Sequence, residues 1–277
     1  MNLFRVLLAA MGICLCLAHC QVSKSGNRPS PGAPPSKSPE LPAPHLETLK
    51  RLLPQNYKIT GTRQVGTEYE VATNSTLGKL RVWLDAQGFP LEMIEETSFG
   101  ALPAPVKDKI PREKSQGALE RHWLVLYEIE FEPPDGGEEE IFYDGWGRER
   151  FRMQDSENDR EVILQPDDLT SSIKRGVAPY LNGAIPSRTK KETEWGRELI
   201  EVAWRNEKGW NEIKLLPSGE VLFWELPHSH AVPAEIGNQA QDEPPELLLL
   251  SVYCLGEGQD LTCWLADGSP FPRPSTE

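Results

Sequence analysis

Apolar and polar residues alternate with a period of two in three stretches of this chain, each time on both sides of a short turn. In the first stretch Tyr69 and Val71 alternate with Glu68, Glu70 and Ala72; beyond the turn, Leu80, Val82 and Leu84 alternate with Arg81 and Trp83. Alternation flanking a turn is the signature of an antiparallel hairpin with one apolar face. The register that sets apolar against apolar pairs Tyr69 with Leu84 and Val71 with Val82. By the same rule the second stretch pairs Tyr127 with Tyr143 and Ile129 with Ile141, and the third pairs Ile200 with Leu215 and Val202 with Ile213. A slip of one residue would turn every apolar side chain to water, so each register is well specified.

Each hairpin runs into a Gly-containing turn: Asp85-Ala86-Gln87-Gly88, Asp144-Gly145-Trp146-Gly147 and Pro217-Ser218-Gly219. A further strand is expected after each turn, over 89–94, 148–153 and 220–226. A helical segment is expected before each hairpin, over 45–53, 102–110 and 168–181. Asp168 or Thr170 is placed to cap the last of these, and Pro111 to end the second. The expected fold class is therefore α+β, built of tandem small units, each a helix packed on a three- or four-stranded antiparallel sheet. The units span 44–98, 99–165 and 166–230. Residues 231–277 hold either a partial fourth unit or a C-terminal hairpin, since Trp264 to Pro270 echoes Trp83 to Pro90.

The middle copy carries Leu102-Pro103-Ala104-Pro105-Val106-Lys107, Tyr127-Glu128-Ile129-Glu130 and Tyr143-Asp144-Gly145-Trp146-Gly147-Arg148. The first copy matches at Tyr69-Glu70-Val71 and from Val82 to Gly88. The third matches less well, with Ile200 in place of the Tyr and no turn Asp. In these features the chain resembles the PepSY-like family, small bacterial envelope domains related in fold to the beta-lactamase inhibitor protein. The resemblance covers about residues 45 to 227. It implies a non-catalytic domain, with inhibition of proteases or other proteins as one theme, and it brings no catalytic residues.

Composition narrows the setting. The chain has 277 residues, 25 of them Pro and 22 Gly, and a formal net charge of −13. Such a surface repels nucleic acid and anionic headgroups, so no nucleic-acid partner is expected, and any membrane contact needs an anchor. Residues 1–20 supply a candidate: Arg5 precedes an apolar run from Val6 to Ala18, the length of a signal-peptide core and too short to span a bilayer. Leu17-Ala18-His19-Cys20 resembles a lipobox that would lipidate Cys20, although His19 departs from it; ordinary cleavage after Ala18 or Cys20 fits as well. Residues 21–43, rich in Ser, Pro, Gly and Lys, read as a disordered linker. Anchor, tether and body together point to a periplasmic or cell-envelope lipoprotein, or otherwise a secreted protein. Beyond the export segment only Cys254 and Cys263 remain, flanking a turn-rich stretch. In an oxidising compartment they are candidates for a structural disulfide, whereas a redox or metal pair lacks the C-x-x-C spacing.

No nucleophile elbow, zinc-protease helix, P-loop or dinucleotide fingerprint occurs, so no catalytic residue, cofactor or metal is nominated. His228-Ser229-His230 lacks a third ligand, and Glu138-Glu139-Glu140 lacks calcium-loop order. Glu70, Glu128 and Glu201 fall on the strand face opposite the apolar one, where cross-strand pairing with Arg81 and Lys214 accounts for them. A solvated face of that kind would not raise a carboxyl pKa. Trp83 and Trp210 fall on the same outward face, while Trp204 falls inward. Outward aromatics are the anchors of protein-binding surfaces, so Trp83, Trp210, Glu70 and Glu128 are the candidate contacts for an envelope protein or peptide. An envelope hydrolase with an unrecognised site and a structural spacer are the competing expectations.

Overall fold

The computed structural model describes residues 40–271 apart from 54–55, 76, 116, 118, 132–138, 155–160, 182, 195, 208, 227–231, 238–244 and 257–260. The expectations for Cys20, Glu138, His228 and His230 lie outside the described residues.

In chain order the elements are α1 (Ala43–Leu52), β1 (Lys58–Val65), β2 (Glu68–Ser75), β3 (Gly78–Leu84), β4 (Pro90–Thr97), α2 (Ala104–Lys107), β5 (Leu119–Phe131), β6 (Glu139–Asp144) and β7 (Glu149–Gln154). They continue with β8 (Val162–Ile163), α3 (Ser171–Leu181), β9 (Arg188–Glu194), β10 (Arg197–Asn206), β11 (Gly209–Leu215), β12 (Val221–Leu226), α4 (Ala234–Gly237), β13 (Glu246–Leu255), β14 (Thr262–Leu265) and β15 (Pro270–Phe271). The three hairpins form in the register that alternation demands: Tyr69 opposite Leu84, Tyr127 opposite Tyr143, and Ile200 opposite Leu215. Thr170 caps α3, its Oγ1 accepting from the Ile173 N–H at 3.3 Å, whereas the Asp168 carboxylate accepts from the Gln165 N–H one turn earlier.

The expected α+β row of tandem helix-on-sheet units is wrong. All the strands belong to one 15-stranded antiparallel sheet, ordered β1-β2-β3-β4-β5-β13-β12-β11-β10-β9-β8, with β6–β7 branching from β5 and β14–β15 from β13. Nor does each unit carry its own full helix: the helix expected over 102–110 is the single turn α2. The physical reason lies in β5 and β13. One edge of β5 serves two partners, β4 along its first half and β6 along its second, while its other edge pairs with β13. β13 divides the same way between β12 and β14. No unit can close on itself when its longest strand is shared in this manner.

What repeats is a half of the molecule. The order helix, four strands, helical turn, three strands occurs twice, apart from the short extra strand β8 between the halves. Four turns mark corresponding places, each with the same two backbone bonds: Asp85 N–H to Phe89 O, Asp144 to Arg148, Leu216 to Glu220 and Leu265 to Ser269, each closed by a Gly N–H onto the first residue's carbonyl. That Gly has positive φ every time, at Gly88, Gly147, Gly219 and Gly268, which is why only Gly serves there. Aligned on these turns, Leu126 corresponds to Val252 and Leu124 to Leu250. Leu124 and Leu250 are also direct cross-strand partners, so a pseudo-two-fold axis passes through that pair.

α1 and α3 lie on one face of the sheet. Leu49 and Leu52 of α1 and Ile173 and Val177 of α3 join a single core cluster with Val82, Trp123, Tyr127, Val202, Trp204 and Leu249. Burial of each such large apolar side chain stabilises the fold by about 1.5–3 kcal/mol. A second apolar cluster occupies the middle of the far face, where Leu126, Phe142, Phe223, Leu248, Leu250 and Cys254 meet Phe151 and Phe271 of the branch hairpins. This explains the unbroken run Leu247 to Leu250: β13 is buried on both faces.

Candidate functional site

Outside that central cluster the far face is polar, and it holds all four residues nominated as contacts. Glu70 and Trp83 are direct cross-strand partners. Trp210 lies across the sheet on β11, and Glu128 near the end of β5, so the structure brings two of the four together and separates the others.

On the β1–β5 half the charges form a ladder across strands. Arg63 pairs with Glu70, Glu70 with Arg81 at 3.7 Å, and Arg81 with Glu120. His122 closes the ladder, its Nδ1 2.5 Å from Glu92 and its Nε2 3.1 Å from Glu120. Burial alone would lower the His122 pKa, but hydrogen bonds to Glu120 and Glu92 and the charges of both outweigh it and push it up to about 9. Three carboxylates thus face three cations. Sequence reasoning missed His122 because its partners come from β4 and from its own strand, and only the tertiary register assembles them.

On the β8–β12 half the balance is different. Lys214 reaches Glu194 at 2.6 Å, Glu225 at 3.3 Å, Glu192 at 3.7 Å and Glu212 at 4.0 Å. Lys190 reaches Glu201, Glu161 and Glu192 at 2.6–2.9 Å, and Arg188 holds Glu201 and Glu212, each at 2.8 Å. Six carboxylates meet three cations. Burial pushes the Glu194 and Glu225 carboxyls up to about 7 despite the attraction of Lys214, with neighbouring carboxylates adding to the rise. Glu201 is fully buried under Arg188 and Lys190.

Glu128 corrects the expectation of a solvated carboxylate. It stands between Phe142 of β6 and Glu246 of β13, and burial pushes its carboxyl well above the usual range, aided by Glu140, Glu225 and Glu246. Its counterpart in the other half, by the turn alignment, is Cys254. That residue is bonded to Cys263, its direct partner across β13 and β14. Trp83 is partly covered, Trp146 is exposed with its indole N–H donating to Glu68 at 3.3 Å, and Trp210 is 53% exposed.

On the helix face Arg121 is partly buried, its guanidinium 4.0 Å from the Trp123 ring centre and its Nε donating to Ser251 at 2.8 Å. Tyr180 of α3 packs edge-on against Trp224 beside it, so this cluster pins α3 to the sheet. Among the described residues no group of three His, Cys, Asp or Glu is arranged to hold a metal ion, and no helix is long and apolar enough to cross a membrane. No protein-family model matches the chain, and no curated protein is significantly similar to it.

Proposed function

We propose that this is an exported, non-catalytic binding protein that holds an envelope protein or peptide against the far face of its sheet. The export segment ending near Cys20 delivers it, with lipidation of Cys20 as its membrane anchor. The observation that carries the reading is Trp210, an indole more than half exposed on a strand face that already has a packed apolar centre. A large aromatic held in water on a rigid strand contributes to a partner's binding far more than to its own fold. The charged residues of this face support the same reading: they pair with one another as ladders. The PepSY-like look of the hairpins, with its theme of protein inhibition, agrees with it.

The test is a photo-crosslinking amino acid placed at Trp210, at Trp83 and, as a control, at Ile173 in the helix-face core. The expected outcome in the native cells is one discrete adduct from the far-face positions. No adduct from either Trp position would overturn the reading.

A further inference from the structure

Among the described residues six large apolar side chains are exposed, and four of them, Val162, Ile163, Ile185 and Trp210, lie at the β8–β11 end. The other half is an internal control for that concentration. Trp210 follows Gly209, the positive-φ glycine that opens β11, and pairs with Arg205. Lys79 follows Gly78, the positive-φ glycine that opens β3, and pairs with Asn74. The same backbone therefore forms with an exposed lysine at this position, and the fold does not require the indole. Among the described residues β8 has no counterpart beyond β1, and it sets two apolar side chains in water at the sheet's edge.

Charge says what fits there. Ile163 is paired with Lys190, and Trp210 lies two residues from Glu212 on the same strand face, so the exposed apolar groups flank a ladder in which six carboxylates are held by three cations, with Arg205 a fourth cation beside Trp210. The corresponding ladder of the other half is balanced, three carboxylates against three cations. We infer that the β8–β11 end of the far face docks a basic polypeptide segment, which sets an apolar side chain against Trp210 and Ile163 and its Lys or Arg side chains over Glu194, Glu212 and Glu225. This rests on the binding reading above and gives the partner its chemistry. Burial holds the carboxyls of Glu194 and Glu225 up to about 7, and neighbouring carboxylates add to the rise; an arriving cation would offset that added repulsion.

The probe is a fluorescein-labelled peptide of alternating lysine and valine, with a glutamate–valine peptide as comparison, titrated into the intact protein and followed by anisotropy. The lysine peptide should bind and the glutamate peptide should not. Trp210→Lys should weaken binding at least about tenfold, as loss of an aromatic anchor does. Glu212→Gln with Glu225→Gln should weaken it about tenfold and flatten its salt dependence. Lys79→Ala should leave it unchanged, and circular dichroism should show every variant folded. Equal binding of both peptides, or full binding by Trp210→Lys, overturns the inference. So does Trp210-dependent self-association in sedimentation, which would make a second copy the occupant. If the lysine peptide fails while a crosslinker at Trp210 still captures a partner, the basic chemistry falls and the binding reading stands. Failure of crosslinking at both Trp210 and Trp83 overturns the binding reading itself.

Discussion

The two halves of this sheet share a backbone and differ in how they hold it. In the first half α1 sits over its turn through a hydrogen bond, Thr48 Oγ1 donating to the Gly88 carbonyl at 2.6 Å. In the second, α3 meets its turn by direct contact: a Cβ on Gly176 would collide with the carbonyl oxygen of Gly219. The branch hairpins differ likewise. β6–β7 is held by Phe142 stacked on Phe151, ring centres 4.6 Å apart, and at the matching place β14–β15 has the Cys254–Cys263 bond. One geometry thus has several chemical solutions; a buried residue that differs between the halves is tied to its own half's packing, whereas an exposed one that differs is free of the fold's demand. That is why Lys79 against Trp210 is informative, whereas Gly88 against Gly219 is not.

Substitutions that exchange these solutions should break the symmetry in graded steps. The largest effect is expected for Phe142→Ala, which removes a fully buried aromatic at the branch and should cost about 3–5 kcal/mol in urea denaturation. Gly176→Thr, which copies the first half's solution into the second, should destabilise by about 3 kcal/mol because helix and turn are already in contact. The reciprocal Thr48→Ala should cost only about 1 kcal/mol, one hydrogen bond. Replacing Cys254 and Cys263 by Ala should cost about 2–3 kcal/mol by loss of the loop constraint.

The ladders differ in their pH windows. His122 is raised in the folded state, so its contribution is fully present below the unfolded value of about 6.5 and is lost as pH rises through about 9. Glu194 and Glu225 are also raised, so the folded state binds more protons than the unfolded chain between about 4.5 and about 7, and stability falls as pH rises across that interval. Denaturation midpoints of His122→Gln and Glu225→Gln, each subtracted from the parent across pH, should therefore show two separate slopes. A common slope for both variants would remove the distinction between the ladders. The smallest effect is expected for Trp210→Lys, within about 0.5 kcal/mol of the parent, because the indole is exposed.

The hairpins and their registers were legible because a strand with one buried face writes its pairing into alternation, as Tyr69, Val71, Val82 and Leu84 do. The turns were legible because positive φ demands Gly. The far-face placement of Trp83, Trp210, Glu70 and Glu128 followed from the same alternation. What bonds to what on that face was not legible. His122 finds Glu92 across strands, Lys214 gathers carboxylates from β9, β11 and β12, and Glu128 is partly covered where a branch hairpin pairs with β5; none of these leaves a local mark.

By itself, then, the sequence determined the local pieces: three hairpins with their registers and the Gly turns, all set by neighbours along the chain, with the cap of α3 narrowed to Asp168 or Thr170. The tertiary structure decided how they join. Backbone hydrogen bonding at a strand edge carries no side-chain code, so the pairing of β5 with β13, which turns expected units into two halves of one sheet, arises only when the whole chain folds. With that pairing came the pseudo-two-fold axis, and with the axis the comparison of Lys79 with Trp210.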